Sequence, residues 1–438
     1  MSPSGSGQEL AALMEQVSAQ RMLATVRELA ADEFTGRRVG TPGGRAAADW
    51  LARQLRALDA EVELDPFPVS TVRELYRTPV LRWSIGERMR RLEHRREFVE
   101  HLASAEMSQP QTAPLVPADS ADVRDRWVLA EAGDWARACD RAEAEGAVGV
   151  LMARGVDEGG WMPKMIAGPT VRAVPVIGMR TDLHRHLADT LAGGGTPAQV
   201  QVTGSIPLRS VATEGLNVHA RLPSTGRHVP GVARVLLTAH FDGVGDDPQR
   251  RLPAAADNAS GVAAVLEAAR VLSSGLSAPL DLSVAFLDAE ETGAWGSAHH
   301  APQVPPGTVV INLDGAAQLH QAASIEAGGP AHALLATLDQ AGRLTGLPLR
   351  AGSMASDNRR YASAGLAAIG IGMGMPGYQT PAETVERVEA ATLLAAARLL
   401  VATVALLATS STEANEPRGS AVRQVLPRGH LLSPAPAR

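Results

Sequence analysis

Between residues 216 and 407 the chain alternates two kinds of apolar run, and this alternation limits the fold more than any other feature. Short runs rich in Val, Ile and Leu at 216–222, 234–239, 282–287, 308–313 and 366–371 have the length of buried strands. Longer stretches at 261–272, 332–344, 359–364 and 385–407 repeat apolar residues at helical spacing. Strands alternating with helices predict the α/β class: a three-layer α/β/α sandwich around a mixed, mostly parallel sheet.

The flanking sequence has a different texture. Leu10, Leu13, Met14, Val17, Leu23 and Val26 recur at spacings near three and four, which predicts one amphipathic helix over 8–31. Thr41 before Pro42 reads as a cap and first helical position, and Ala47, Trp50, Leu51, Leu55 and Leu58 line one side of the helix that follows. From 67 to 212, arginine-rich irregular sequence gives way to short strand-like runs interleaved with helices. The expected organisation is therefore an N-terminal part of the main domain over 1–66 and an inserted smaller α/β or β-rich domain over 67–212. The main domain proper follows over 213–410, and 411–438 forms a flexible tail.

Composition removes several classes of function. With 45% hydrophobic and 20% charged residues among 438, neither disorder nor a fibrous repeat fits. A formal charge of −6 gives no general attraction for nucleic acid. Cys139 is the only cysteine, so neither an internal disulfide nor a Cys-rich zinc site can form. Its helical setting marks it as a buried thiol. Residues 390–408 are almost wholly apolar, but Arg398 lies near their middle. A cation at a bilayer centre costs about 2.5–3.5 kcal/mol, so a helix packed on the sheet is expected and no membrane partner. The first ten residues lack a basic region followed by an apolar one, which predicts a cytoplasmic protein.

Five polar segments carry the chemistry, each expected just beyond a strand. They contain His240 and Asp242; Asp257 and Ser260; Asp288, Glu290 and Glu291; Asp314; and Tyr378-Gln379-Thr380-Pro381. In open α/β sheets the functional crevice lies beyond the carboxyl ends of the strands. Carboxylates gathered there repel one another unless a cation sits among them, and imidazole with carboxylate suits zinc or a similar divalent ion. Singly, His240 reads as a core histidine and Asp257 as a helix cap. The ordered combination says more. No Gly-x-Ser-x-Gly elbow, His-Glu-x-x-His helix or glycine-rich phosphate loop competes with it.

In these motifs the chain resembles the co-catalytic zinc aminopeptidases, which are related to glutamate carboxypeptidases and glutaminyl cyclases. The likeness covers about 29–58 and 216–407. It is carried by Thr35-Gly-Arg, Gly40-Thr-Pro-Gly-Gly, His240-Phe-Asp242, Asp257-Asn-Ala-Ser-Gly, Asp288-Ala-Glu290-Glu291-Thr-Gly, Gly296-Ser, Asp314 and Ser356-Asp357. The inserted region resembles a protease-associated domain. The resemblance implies that His240 and Asp314 hold a first metal, that Asp257 bridges two metals, and that Glu291 binds the second. Glu290 would be the general base and Asp242 the carboxylate orienting His240. An extended backbone would send the adjacent Glu290 and Glu291 side chains to opposite sides.

One departure stands out. Where the family has a last histidine ligand, this chain has Gln379, whose neutral amide is a poorer zinc ligand. Asn358 likewise stands where many relatives have histidine. One tight Zn2+ site is expected, with the second weak or absent. His299, His300 and His320 are possible substitute ligands, His300 being better explained as structural. The resulting expectation is a zinc-dependent, aminopeptidase-like hydrolase acting on a peptide or small amide, with no nucleic-acid partner. Two alternatives remain: cyclisation or amide transfer on a specialised small molecule or peptide, and a catalytically silent binding protein. Retention of Glu290 and the first-site ligands favours hydrolysis. Oligomeric state is not legible in the sequence.

Overall fold

The computed structural model describes residues 3–131, 133–164, 171–193, 200–223 and 231–415. Two eight-stranded sheets organise them. In the first, the spatial order is β1 (Glu61–Leu75), β10 (Leu208–Arg221), β12 (Asp281–Leu287), β11 (Arg234–His240), β13 (Val309–Ala316), β16 (Ala367–Met373), β14 (Ala323–Gly328) and β15 (Leu349–Ala351). The central strands β12, β11, β13 and β16 are mutually parallel; β10 pairs antiparallel with both β1 and β12, and β14 pairs antiparallel with β16 but parallel with β15. The mixed sheet is as the alternation predicts.

Helices cover both faces of this sheet. α1 (Pro3–Glu15), α2 (Ala19–Leu29), α3 (Pro42–Arg56), α6 (Ser260–Gly275), α8 (His332–Thr345) and α10 (Ala390–Asn415) share one large apolar core with it. Tyr361 of α9 (Asn358–Ser363) and Ala301, next to α7 (Trp295–His300), pack with Leu236, Leu287 and Val310 on the other face. The single helix predicted over 8–31 is two helices. Ser18 caps α2 by accepting the amide of Arg21, and its own amide donates to Glu267 on α6. Thr41 caps α3 ahead of Pro42, as its position predicts.

α10 is long and apolar enough to cross a membrane, yet 61% of that apolar stretch is buried inside the protein. Arg398 Nε reaches the carbonyl of Met14 at 3.3 Å. The helix begins at Ala390, after a short turn at Val385–Arg387, and continues through 411–415. The remainder of the expected tail, 416–438, lies outside the described residues.

The second sheet runs β3 (Arg88–Arg91), β2 (Val80–Ile85), β9 (Val200–Ile206), β5 (Met107–Pro117), β6 (Trp127–Leu129), β7 (Gly149–Arg154), β8 (Val176–Arg180) and β4 (Phe98–Glu100). α4 (Trp135–Glu145) and α5 (Thr181–Ala192) accompany it. Cys139 is buried on α4, and burial pushes its thiol up to about 11. β1 and β10 form a long antiparallel ribbon from Glu61↔Arg221 to Leu75↔Leu208 that links the two sheets. The sequence-based boundaries at 66/67 and 212/213 fall within this ribbon.

The two modules meet over charged groups. Arg95, fully buried, donates to Glu100 at 2.6 Å and to both oxygens of Asp247 at 2.6 and 2.9 Å. Lys164, the chain's one lysine, donates Nζ to the carbonyl of Val244 at 3.1 Å, and its amide donates to the carbonyl of Gln379 at 3.2 Å.

Candidate metal centre

β11 is the switch point of the main sheet, because β12 lies on one side of it and β13 on the other. Its last residue, His240, therefore opens into the crevice where such sheets bind ligands. His240 Nε2 lies 3.1 Å from Asp257 Oδ1 and 3.2 Å from Asp314 Oδ1. All three side chains are buried, and their ligand atoms lie within 4.8 Å of one another. Among the described residues, this is the one group of three or more His, Cys or acidic side chains so arranged.

The supporting contacts explain the placement. His240 Nδ1 faces the carbonyl oxygen of Asp242 at 3.2 Å and its Oδ1 at 3.5 Å. A proton on Nδ1 would thereby be held, which leaves Nε2, facing the acids, as the ring atom available to a metal ion. Asp242 also accepts the amides of Glu290 at 3.0 Å and Glu291 at 3.2 Å. One carboxylate thus fixes both the imidazole and the next loop. Asp288 belongs to the scaffold, accepting the amides of Leu216 and Ala289.

Three expectations need correction. Asp257 does not lie at a strand end; the chain leaves through 241–254 and returns before Asp257 precedes α6. Asp314 lies within β13, not beyond it. Glu290 and Glu291 are not on extended backbone: the chain turns at Ala289, with φ of 62°, and the amides converge on Asp242.

Several supporting residues escaped sequence reasoning. Asn258 donates to the carbonyl of Leu313 and accepts the amides of Gly261 and Gly315, so it brackets Asp314 from both sides. A Cβ on Gly261 would come within 2.1 Å of the Asn258 oxygen, which explains glycine there. Glu383 Oε1 accepts the amides of Ala256 and Asp257, while Oε2 accepts that of Gln379. Arg37 is fully buried beneath the centre and donates to the carbonyls of Leu29, Phe241, Pro253 and Ala254. Its only visible signal was membership of the Thr-Gly-Arg motif.

Burial and mutual repulsion govern the electrostatics. Burial pushes Glu290, Glu291 and Asp257 above the ordinary carboxylate range, and neighbouring acids add to the effect. Burial likewise raises Asp357 to about 7 and Glu383 to about 8. Burial opposes a charge on His240, but Asp314 and the hydrogen bonds to Asp242, Asp257 and Asp314 prevail and raise it well above the usual value. Acids held this way form a cation-seeking pocket.

Gln379 is buried against this set. Its Nε2 donates to Glu291 Oε2 at 2.9 Å and contacts the Tyr378 hydroxyl at 3.0 Å. The proposed substitute histidines lie elsewhere: His299 pairs with Asp65, His300 with the Tyr361 hydroxyl, and His320 packs at Gly374.

The comparisons agree with the motifs. Residues 217–404 match peptidase family M28, which bears out the resemblance to zinc aminopeptidases. The probable lipoprotein aminopeptidase LpqL of Mycobacterium tuberculosis is 28% identical over 308 residues, 66% of this chain and 56% of that protein. Aminopeptidase YwaD of Bacillus subtilis is 28% identical over 222 residues, 47% of this chain and 44% of that protein. The chain thus spans about half the length of these curated relatives. The solved aminopeptidase of Aneurinibacillus sp. strain AM-1 shares the fold with a TM-score of 0.70 at 22% identity, covering 90% of this chain and 94% of that one. The zinc aminopeptidase BSAP of Bacillus subtilis gives 0.68 at 23% identity, covering 89% and 95%.

Proposed function

We propose that this protein is a zinc-dependent, aminopeptidase-like hydrolase of peptide or amide bonds, with Glu290 as general base. The observation that carries this reading is the convergence of His240, Asp257 and Asp314 within 4.8 Å. An imidazole and two carboxylates fit zinc in donor type and number, leaving a position open for substrate. Lewis-acid polarisation of an acyl oxygen and acidification of water are what zinc supplies at such a set.

The remaining work falls to the chain's own groups. Asp242 keeps the His240 proton on Nδ1, so that Nε2 is free to ligate. Glu290 is half-buried while Glu291 is buried, so Glu290 is the carboxylate that can meet a substrate and carry its proton. The raised affinity of Glu290 for protons suits a base that must later return the proton to a leaving amine. Gln379 spends its amide hydrogens on Glu291 and Tyr378, which supports one tight metal site and a second that is weak or absent.

Glu290→Gln tests the reading. Turnover of aminoacyl amides should fall at least a hundredfold while bound zinc, measured by elemental analysis, persists. Full activity in that variant would remove Glu290 from its role, and a chain that retains no divalent ion would overturn the hydrolase reading.

A further inference from the structure

Arg154 is a cation without a counter-charge. It is the last residue of β7 and is half-buried, with its stem lying over Gly178 of β8, where an added Cβ would meet Arg154 Cδ at 3.4 Å. Its Nε is buried and has no hydrogen-bond partner among the described residues. Burial and the like charge of Arg95 hold its guanidinium below the usual value, while Tyr378 acts the other way. An arginine keeps its charge, so burying one costs free energy unless an anion meets it.

The surroundings repeat the shortage. Arg95 and Lys164 have only Glu100 and Asp247 beside them, and Arg95 Nη1 stays buried and unpartnered among the described residues. Asp246, the next acid, is already matched by Arg251 at 3.0 Å. Three cations therefore face two carboxylates. Two backbone hydrogen bonds tie this cluster to the metal centre. The amide of Met162 donates to the carbonyl of Arg95 at 2.8 Å, and that of Lys164 to the carbonyl of Gln379 at 3.2 Å. The chain thus runs from the end of β7 straight to the turn that lies against Glu291.

A permanently held counter-ion would suit a sealed site, but Arg154 is open to solvent on one side, so what it binds can exchange. The acids around His240 repel any anion that approaches them, and a cation placed beside them offsets that repulsion. A carboxylate gains most from such a placement, because a guanidinium can meet it through two parallel hydrogen bonds.

We infer that Arg154, backed by Arg95 and Lys164, is a carboxylate subsite through which the second module selects peptides bearing a free carboxylate near the scissile bond. The carboxylate comes from the end of a dipeptide or from an acidic side chain. The inference rests on the hydrolase reading for its meaning but not for its test.

The test measures kcat/KM of the zinc-loaded full chain on two pairs of peptides. Leucyl-glycine is set against its C-terminal amide, and leucyl-aspartyl amide against leucyl-asparaginyl amide. In at least one pair the acid should be favoured by about tenfold, and which pair responds tells a chain end from a side chain. Equal rates within both pairs overturn the subsite and leave the hydrolase. Arg154→Met, which keeps the stem over Gly178, should bring the favoured pair to within about twofold through KM, with kcat and zinc content unchanged. Arg154→Gln gives the same reading should the methionine variant fail to fold, and a preference that survives the substitution overturns the subsite. Calorimetry on the same four compounds, with the peptide bond reduced to a secondary amine, needs no turnover. A chain that hydrolyses none of the peptides yet binds a reduced acid about tenfold more tightly than its amide would sink the hydrolase and leave the subsite. Equal binding within both reduced pairs overturns the subsite.

Discussion

Glu383 shows how much of this centre depends on a residue that touches no reacting atom. Its two oxygens hold the amides of Ala256, Asp257 and Gln379, tying the segment before α6 to the turn that carries Gln379. Glu383→Gln turns one of those acceptors into a donor facing a donor, at a cost of about 1–3 kcal/mol for the orphaned amide. The expected result is faster zinc loss to a chelator, measured as a shortened half-life, with the fold retained. His101 supports a separate prediction. It is buried, its Nδ1 accepts the amide of Ala103, and burial, reinforced by Arg154, lowers its pKa to about 4. The unfolded chain binds this proton near pH 6.5 and the folded chain does not. Stability from this site is therefore full above pH 6.5 and is lost as pH falls toward 4, by on the order of 3 kcal/mol. His101→Asn, which keeps an acceptor, should flatten urea-unfolding stability across that window; an unchanged slope would count against it. The zinc-ligand candidates were legible because imidazole and carboxylate announce their chemistry. Arg37, Asn258 and Glu383 were not, because they act on backbone groups far away in sequence, which a linear pattern does not reveal.

At the scale of elements, legibility followed burial. β11, β12, β13 and β16 are central parallel strands covered on both faces, so they read as continuous apolar runs. The ribbon of β1 and β10 mixes exposed and half-buried residues with buried ones and has no continuous apolar run, and its length was not foreseen. The break between α1 and α2 was missed because the apolar spacing carries across it while Ser18 quietly supplies a cap. The contribution of Lys164 was also unreadable, since its value lies in what it reaches. Lys164 Nζ bonds the loop following His240 and sits 3.8 Å from Asp247, while its amide bonds Gln379. Lys164→Met should leave the Val244 carbonyl unpaired and cost about 1–3 kcal/mol in denaturant unfolding. Zinc content should be unchanged, since no proposed ligand loses a bond.

At the scale of the molecule, the two modules are joined through buried ions. Arg95 of the second module is held by Glu100 from its own side and by Asp247 from the other. The guanidinium beside it, with help from Lys164, overcomes burial and holds the Asp247 carboxyl well below its usual range. Asp247→Asn would leave that guanidinium under-compensated, which costs about 3–5 kcal/mol. Hydrogen exchange should then show the junction opening ahead of either sheet. Concurrent loss of protection throughout both sheets would instead make the modules one cooperative unit.

Lys164 also makes the protein its own reporter. It carries the chain's one ε-amine and is 4% exposed at the junction. Acylating reagents would meet that amine only when the seam parts, so its labelling rate, read by mass spectrometry on a single peptide, becomes a clock for how often the two halves let go of each other.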